Sequence, residues 1–293
     1  MKLMIEALLY NKLAGGRVQC KTCSHRCLID SGSRGLCQVR ANHEGVLYSL
    51  NYGLAIASAI DPIEKKPLYH FLPNTEIYSF AAQGCNLHCP WCQNYEISQS
   101  SKRDGIIAGD PISPREHVER ALRFKCPSIA YTYSEPTIFL EYALATMKIV
   151  KENNLKNVWV TNGFMSEETL ALIIPYLDAV NVDIKGPDDR FYREHCGGSL
   201  KPIIANLKVL QKAHIHIEIA TLLIPDLNDK REDIEEIASI IVSNLGTEIP
   251  WHVTRFFPAW KMLHTKITPL AILEMARDIG EHAGIKHIHI GNV

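Results

Sequence analysis

The sequence predicts an α/β protein whose main body is a partial (β/α) barrel of the TIM type, preceded by a small Cys-rich N-terminal module. From about residue 77 onward, short apolar runs typical of strands alternate with segments of helical periodicity. Such alternation, repeated six or seven times, indicates parallel strands joined by right-handed crossovers. A doubly wound open sheet is the alternative, but no Gly-x-Gly-x-x-Gly pattern follows the first strand.

Seven runs rich in β-branched and aromatic residues are the predicted strands of this barrel. In chain order they cover residues 77–82, 128–133, 157–161, 179–185, 215–223, 250–256 and 287–290. Several of them are apolar almost throughout, as expected for strands that are buried on both faces by flanking helices.

Helix signals lie between most of these runs. Ser113 is followed by Pro114 and Glu116, which predicts a helix that begins with a capping box. Residues 137–154 carry apolar side chains at helical spacing. Residues 229–244 begin with acidic side chains, which suit the positive end of a helix dipole.

We expect two parts in the chain: residues 1–75, the Cys-rich module with a connecting segment, and residues 76–293, the barrel. The net charge of −1 offers no electrostatic reason to expect nucleic acid or membrane as a partner. No apolar run approaches the roughly 18–20 residues of a membrane span, and the N-terminal segment is charged throughout. We therefore expect a cytoplasmic protein, whose nine cysteines favour metal binding over disulfides.

Three cysteines fall within the stretch GCNLHCPWCQN: Cys85, Cys89 and Cys92. A redox Cys-x-x-Cys pair leaves Cys85 without a role. A structural zinc site needs a fourth ligand, for which His88 is poorly placed, and ferredoxin clusters use another spacing. Three thiolates can instead hold three irons of a [4Fe–4S] cluster and leave the fourth open to a ligand. The loop follows the first strand, where barrel active sites lie.

Polar side chains share one face of a predicted barrel strand. Asn181, Asp183 and Lys185 alternate with apolar residues, so they point to the same side. Barrel strands normally fill the interior with apolar side chains, and a polar face near the C-terminal end predicts an inward-facing site. Glu218 lies on the polar face of the next strand and is also predicted to point inward.

A second group of cysteines precedes the barrel, spaced C-x2-C-x3-C-x9-C: Cys20, Cys23, Cys27 and Cys37. Four thiolates suffice for a closed site, either structural zinc or an auxiliary [4Fe–4S] cluster, and His25 is an alternative ligand. Cys126 and Cys196 stand apart and are expected to be ordinary buried thiols.

The stretch DPIEKKPLYHF, residues 61–71, is rich in proline and charge. We expect it to pack the N-terminal module on the barrel. The alternative is that Lys65, Lys66 and His70 reach the substrate side.

The motif C-x3-C-x-aromatic-C at Cys85–Cys92 resembles that of radical S-adenosylmethionine (SAM) enzymes, with Trp91 as the aromatic residue. Residues 77–293 resemble the glycyl-radical-enzyme (pyruvate formate-lyase) activating branch, and Asn94 matches as well. YSEP at 133–136 takes the place of its Gly-Gly-Glu-Pro motif but lacks both glycines. The resemblance implies the following cofactor-binding residues: Glu135 for the SAM ammonium group, and Thr161, Asn162, Asp183 and Lys185 for the ribose and carboxylate.

The whole chain is similar to the AmmeMemoRadiSam system radical SAM enzymes in five stretches: residues 20–40, 52–71, 130–143, 156–165 and 249–258. The resemblance implies a [4Fe–4S] cluster that reductively cleaves SAM to a 5′-deoxyadenosyl radical, which abstracts hydrogen from a macromolecular substrate. It implies a low-potential electron donor of the flavodoxin or ferredoxin type, and Memo-like and AMMECR-type partner proteins. The alternatives are a radical SAM enzyme that modifies RNA or a small molecule, and a non-catalytic metal-binding scaffold.

Overall fold

A computed structural model describes residues 4–293 of the chain. The N-terminal part consists of short antiparallel strands: β1 (Ile5–Glu6), β2 (Tyr10–Lys12), β3 (Val18–Cys20), β4 (Leu28–Ile29), β5 (Arg40–His43), β6 (Val46–Ser49) and β7 (Leu54–Ala55). They form two three-stranded sheets, in the orders β1-β6-β5 and β2-β3-β4, while β7 pairs with a short strand at residues 110–111.

One large sheet forms the main body. The strands from residue 57 onward are β8 (Ala57–Pro62), β9 (Glu76–Ala81), β10 (Asp110–Pro111), β11 (Ser128–Tyr131), β12 (Lys156–Thr161), β13 (Ala179–Asp183), β14 (His216–Leu223), β15 (Trp251–Arg255) and β16 (Ile288–Gly291). All except β10 belong to this eight-stranded sheet.

The strand order decides between the two predicted architectures. From β9 to β16 the seven strands are parallel and lie side by side in chain order. A doubly wound sheet would reverse its strand order at a switch point, whereas sequential order is that of a (β/α) barrel. The sheet ends at β8 and β16, which are not paired with each other. The prediction of a partial barrel is confirmed.

Helices connect the strands on the outside of the sheet. They are α1 (Tyr95–Ser98), α2 (Ser100–Asp104), α3 (Pro114–Arg123), α4 (Leu140–Glu152), α5 (Glu167–Ile173), α6 (Asp189–Phe191), α7 (Leu200–Lys212), α8 (Arg231–Leu245) and α9 (Leu270–His282), and a π-helical turn at Tyr192–Cys196 follows α6. The predicted capping box is present: Ser113 Oγ accepts from Glu116 N, and Glu116 Oε2 accepts from Ser113 N. None of the helices within residues 4–293 is long and apolar enough to cross a membrane.

All seven predicted strands are present within a few residues, but the eighth, β8, was not predicted. It pairs antiparallel with β9 through residues 57–62, so the segment before residue 76 contributes a strand to the large sheet. The amide of Asn181 donates to the carbonyl of Pro67 at 2.8 Å, inside the barrel. Residues 61–71 therefore lie against the barrel, and the expectation that they pack the N-terminal module on it stays a prediction.

The N-terminal part packs on the barrel through a buried ion pair. Arg40 on β5 donates to Glu141 on α4 at 2.7 Å, and both side chains are almost fully buried. Removal of one member of such a pair costs about 3–5 kcal/mol, because the other charge remains buried and unpaired. Close packing also fixes the loop after β9, since a Cβ at Gly84 would lie 2.9 Å from Val39 Cγ1. The two parts therefore form a tight contact beside Cys85.

Candidate active site

A cavity of about 380 Å³ lies inside the barrel, among the residues that follow the C-terminal ends of the strands. This volume is in the range of small-molecule sites. Ten of the residues singled out in the sequence line it: Cys85, Cys89, Trp91, Cys92, Asn94, Glu135, Thr161, Asn162, Asp183 and Lys185. They come from four different strand-to-helix connections, which explains why they converge only in the folded chain.

The three thiols of the motif are buried or half-buried in the cavity wall. Cys85 Sγ accepts from Leu87 N at 3.4 Å, and Cys92 Sγ lies 3.2 Å from Ser98 Oγ. Burial raises the pKa of the Cys85 and Cys92 thiols. Such thiols are uncharged at neutral pH unless a cation binds them, and a metal centre is the cation that reverses this preference. The donor set therefore fits a thiolate-bound metal group.

A fourth cysteine, Cys196, contacts this site. Its thiol forms a side-chain hydrogen bond with Cys89, and this bond, followed by burial, raises the pKa of Cys89. Cys196 ends the π-helical turn and is fully buried. Cys196 is buried as expected, but in the folded chain it lies next to the site. No local sequence signal could have revealed the contact, because the fold alone brings the loop after β13 to the loop after β9.

Glu135 is the most heavily bonded side chain of the cavity. Its Oε1 accepts from Thr137 N (3.0 Å), Thr137 Oγ1 (2.5 Å) and Thr161 Oγ1 (2.7 Å), and its Oε2 accepts from Asn162 N (2.9 Å). Burial raises the pKa of Glu135, and these donors oppose the rise. Each carboxylate oxygen offers about two acceptor positions and Oε2 accepts only one bond, so it retains capacity for a further donor from the cavity.

Thr161 and Asn162 hold the walls of the cavity together. The Thr161 hydroxyl donates to Glu135, while the Asn162 amide donates to Asn86 Oδ1 at 2.8 Å and lies 3.8 Å from Cys85 Sγ. Gly163 follows with a φ of 71°, and a Cβ there would lie 2.9 Å from Val182 and Ile203. The turn after β12 therefore requires glycine at this position.

Asp183 and Lys185 form an ion pair of 2.7 Å at the end of β13. Burial alone would lower the pKa of Lys185, but the charge of Asp183 outweighs it and raises the pKa. The ammonium therefore stays charged beside the thiols. The Asp183 side chain is 40% exposed, which leaves carboxylate surface for a ligand.

A polar cluster in the cavity wall consists of Tyr133, Asp61 and Lys66. The Tyr133 phenol donates to Asp61 Oδ2 at 2.8 Å, and Lys66 Nζ donates to Asp61 Oδ2 at 2.9 Å and to the phenol at 3.2 Å. Lys65 and Lys66 thus reach the cavity, whereas His70 does not line it. Tyr133 has a φ of 64°, in the left-handed region that favours glycine. Its position corresponds to the first glycine of the Gly-Gly-Glu-Pro motif, and glycine adopts such a backbone without strain.

Glu218 is not part of this cavity, which corrects its assignment as a cofactor-binding residue. It is fully buried, and its carboxylate accepts from His216 (2.9 Å), His252 (2.6 Å), Tyr69 N (3.0 Å) and His70 N (2.8 Å). With four donors bound, the side chain has no acceptor position left for a cofactor. Glu218 points inward as predicted, but it fastens the chain at residues 69–70.

The N-terminal cysteines line a separate, smaller cavity, together with His25, Arg40 and Asn86: Cys20, Cys23, Cys27 and Cys37. Nε2 of His25 lies 2.8 Å from the carbonyl oxygen of Asn86. Among residues 4–293, no three His, Cys, Asp or Glu side chains stand at the spacing of a single metal ion, and this applies to both groups of cysteines.

Comparison with known proteins agrees with this geometry. Residues 80–240 match the family model of the radical SAM superfamily. The chain is 42% identical over 290 residues to an uncharacterised protein of Methanocaldococcus jannaschii, covering 99% of this chain and 86% of that protein. It is 24% identical over 180 residues to the pyruvate formate-lyase-activating enzyme of Clostridium pasteurianum, covering 58% of this chain and 73% of that enzyme.

Among solved structures, the radical SAM methyltransferase of Sphaerobacter thermophilus is similar, with a TM-score of 0.57 and 16% identity. The match covers 76% of this chain and 68% of the methyltransferase. At this identity the likeness concerns the fold.

Proposed function

Because the chain belongs to the radical SAM superfamily, whose enzymes use a [4Fe–4S] cluster and SAM, we propose that its barrel cavity makes a 5′-deoxyadenosyl radical that abstracts hydrogen from a macromolecular substrate. The proposed reaction type is that of the glycyl-radical-enzyme activases. One observation carries the proposal: three thiols, a carboxylate with a free acceptor position and a charged ammonium face the same 380 Å³ cavity.

Cys85, Cys89 and Cys92 are the proposed cluster ligands. They are the cysteines that line this cavity, and their buried thiols suit a cationic metal group. When bound and reduced, the cluster supplies one electron that breaks a C–S bond of SAM, which yields methionine and the 5′-deoxyadenosyl radical. Lys185 favours the thiolate form of Cys89 through its positive charge, and the Asn162 amide lies 3.8 Å from the Cys85 sulfur.

The proposed SAM contacts follow from charge. The amino group of SAM is an ammonium, which suits the Glu135 Oε2 atom that accepts only one bond within the chain. The Asp183–Lys185 pair offers a carboxylate and an ammonium to the ribose hydroxyls and the methionine carboxylate. Trp91 and Asn94 line the same cavity and complete the proposed contacts. Thr161 acts by holding Glu135 in place.

The macromolecular substrate and the partners are proposed from resemblance. The sheet is open between β8 and β16, which leaves room for a large partner beside the cavity. The activase among the relatives supports a protein substrate. We further propose membership of the AmmeMemoRadiSam system, with Memo-like and AMMECR-type partners, a flavodoxin- or ferredoxin-type donor, and a cytoplasmic location that keeps the thiols reduced.

The proposal is tested by reconstituting the chain anaerobically with iron and sulfide, adding dithionite and SAM, and measuring 5′-deoxyadenosine. We expect product from the wild type and from a Cys126→Ala control, whose cysteine lies outside both cavities. Cys89→Ala should give none. If the wild type made no more product than Cys89→Ala while binding its iron, the chain would be a metal-binding scaffold and not an enzyme of this kind.

A further inference from the structure

The four N-terminal cysteines surround a cavity that shares no lining residue with the barrel cavity. We propose that Cys20, Cys23, Cys27 and Cys37 hold a second metal centre, bound by four thiolates and distinct from the SAM-binding cluster. The ligands suit thiophilic metals, that is, an iron–sulfur cluster or zinc.

Burial argues for a site instead of four ordinary thiols. Cys20, Cys23 and Cys37 are 6%, 7% and 7% exposed, although they lie in a part of the chain built from strands of two to four residues. Single cysteine thiols can pack as small apolar groups. Here four of them converge on one space of about 10 Å³, which is the arrangement of ligands around a common centre.

Arg40 gives the second, independent observation. It lines the same cavity and is 1% exposed. Its Nη1 donates to Glu141 at 2.7 Å and its Nη2 to the carbonyl of Ile138 at 3.1 Å, but its Nε has no partner within residues 4–293. A buried, unused donor on a cation is costly unless an acceptor or a negative charge faces it. A four-thiolate metal centre carries negative charge and fits beside this guanidinium.

The spacing of the thiols is compatible with such a centre. No three of them stand close enough for one ion, but the same is true of Cys85, Cys89 and Cys92, whose family binds a cluster. The spacing of the metal-free side chains therefore does not decide between a cluster and a single zinc, and the metal content does. Four thiolates complete the coordination of such a centre without His25, whose Nε2 donates to the carbonyl of Asn86, so the four thiols form the proposed ligand set.

The cysteine loop is fastened to the wall of the barrel cavity. Cys23 forms a β-bridge with Met165, and Ser24 donates to the carbonyls of Phe164 and Met165. His25 contacts Asn86, the neighbour of Cys85. A metal that orders residues 20–27 would therefore also order the loops after β9 and β12. The expected effect on these loops and on SAM binding rests on the proposed function, whereas the expected metal content does not.

Metal analysis of the full-length chain tests the proposal. A triple variant, Cys85→Ala/Cys89→Ala/Cys92→Ala, removes the ligands of the barrel cavity. After anaerobic purification and reconstitution we expect it to retain about four irons with sulfide, or about one zinc. Adding Cys20→Ser/Cys23→Ser to the triple variant should abolish binding of this metal. Adding Cys126→Ala to the triple variant instead should leave the metal content unchanged. A triple variant that holds neither metal in stoichiometric amount overturns the proposal.

Two further readouts remain decisive if the quintuple variant does not fold. X-ray absorption on the triple variant should find four sulfur neighbours around zinc, or around each iron, whereas a mixed shell of nitrogen and oxygen overturns the four-thiolate assignment. In the wild-type background, Cys20→Ser/Cys23→Ser should keep the barrel iron but bind SAM several-fold more weakly. Unchanged SAM affinity in this variant would mean that either the positioning role or the proposed SAM site is wrong. The metal content of the triple variant tests the second metal centre independently of both.

Discussion

The phenol of Tyr133 donates a 2.8 Å hydrogen bond to Asp61, which ties a residue after β11 to the end of β8. Lys66 completes the contact, with its ammonium 4.5 Å from the Tyr133 ring centre. Burial would raise the pKa of Asp61, but the hydrogen bonds from Lys66, Lys65 and Tyr133 lower it to about 2. The cluster therefore holds a charged pair within the cavity wall.

Tyr133→Phe should lower the free energy of unfolding by about 1.5 kcal/mol, because the hydrogen bond to a charged carboxylate is lost while the ring remains. Urea unfolding of the purified chain measures this. Tyr95→Phe is the matched control, since Tyr95 stacks on Trp260 and keeps its ring in that variant. Equal stability of wild type and Tyr133→Phe would mean that the phenol contributes nothing to the cluster.

Cys85→Ala, Cys89→Ala and Cys92→Ala should each abolish SAM cleavage, since each leaves one iron of the cluster without its ligand. Iron content and 5′-deoxyadenosine yield are measured on the same reconstituted sample. Product from any of the three variants at the wild-type level would contradict the proposed ligand set.

Glu135→Gln should weaken SAM binding about 10- to 100-fold, the equivalent of a lost hydrogen bond between charged groups of about 1.5–3 kcal/mol. Glutamine is preferred to alanine because Thr137, Thr161 and Asn162 donate to this side chain and would lose their acceptor. Titration of the reconstituted protein with SAM gives the affinity, and Asp183→Asn should show a loss in the same direction. Unchanged affinity in both variants would remove these residues from the site.

Stability should depend on Glu218 in a pH-dependent way. Burial alone would raise the pKa of Glu218, but hydrogen bonds from His216, His252 and the backbone lower it below its ordinary value of 4.5. A carboxyl whose pKa is lower in the folded state stabilises the fold above the unfolded pKa, and this contribution is lost as pH falls. Glu218→Gln should therefore cost at least about 1.5 kcal/mol near neutral pH, and the difference from wild type should shrink below about pH 4.5. A difference that stays constant from about pH 7 to 3.5 would contradict this.

Cys196→Ala should leave the iron content unchanged but make the reduction potential of the barrel cluster more negative, because hydrogen bonds to ligand sulfurs tune such potentials. A redox titration followed by electron paramagnetic resonance measures the shift. Cys126→Ala is the control, as another buried cysteine outside the cavity. An unchanged reduction potential would mean that Cys196 contributes only to packing.

The sequence predicted the strands well because seven apolar runs had the length and composition that buried parallel strands require. It also predicted ten residues of the cavity. The three cysteines, Asp183 and Lys185 were predicted from their chemistry at strand ends, whereas the family resemblance implied the other five: Trp91, Asn94, Glu135, Thr161 and Asn162. It missed β8, since Ile60 is the one large apolar residue in ASAIDP and the strand pairs along only one edge, with β9.

Contacts that form only in the folded chain explain why the sequence did not predict the surroundings of Glu218 and Cys196. Glu218 alternates with apolar residues like Asp183, and only the fold places two histidines and two backbone amides around its carboxylate. Likewise, Cys196 contacts Cys89 because the π-helical turn after α6 places it beside the loop that follows β9. Such long-range contacts leave no local pattern in the sequence.

The hydrogen bonds between Glu218 and the backbone of residues 69–70 also limit where small molecules can enter the barrel. Lys66 and Pro67 line the cavity, and the backbone just beyond them is bound to Asn181 and Glu218, so this segment forms a floor at the N-terminal end of the strands. Small molecules must then enter the cavity at the opposite end of the strands or through the gap between β8 and β16.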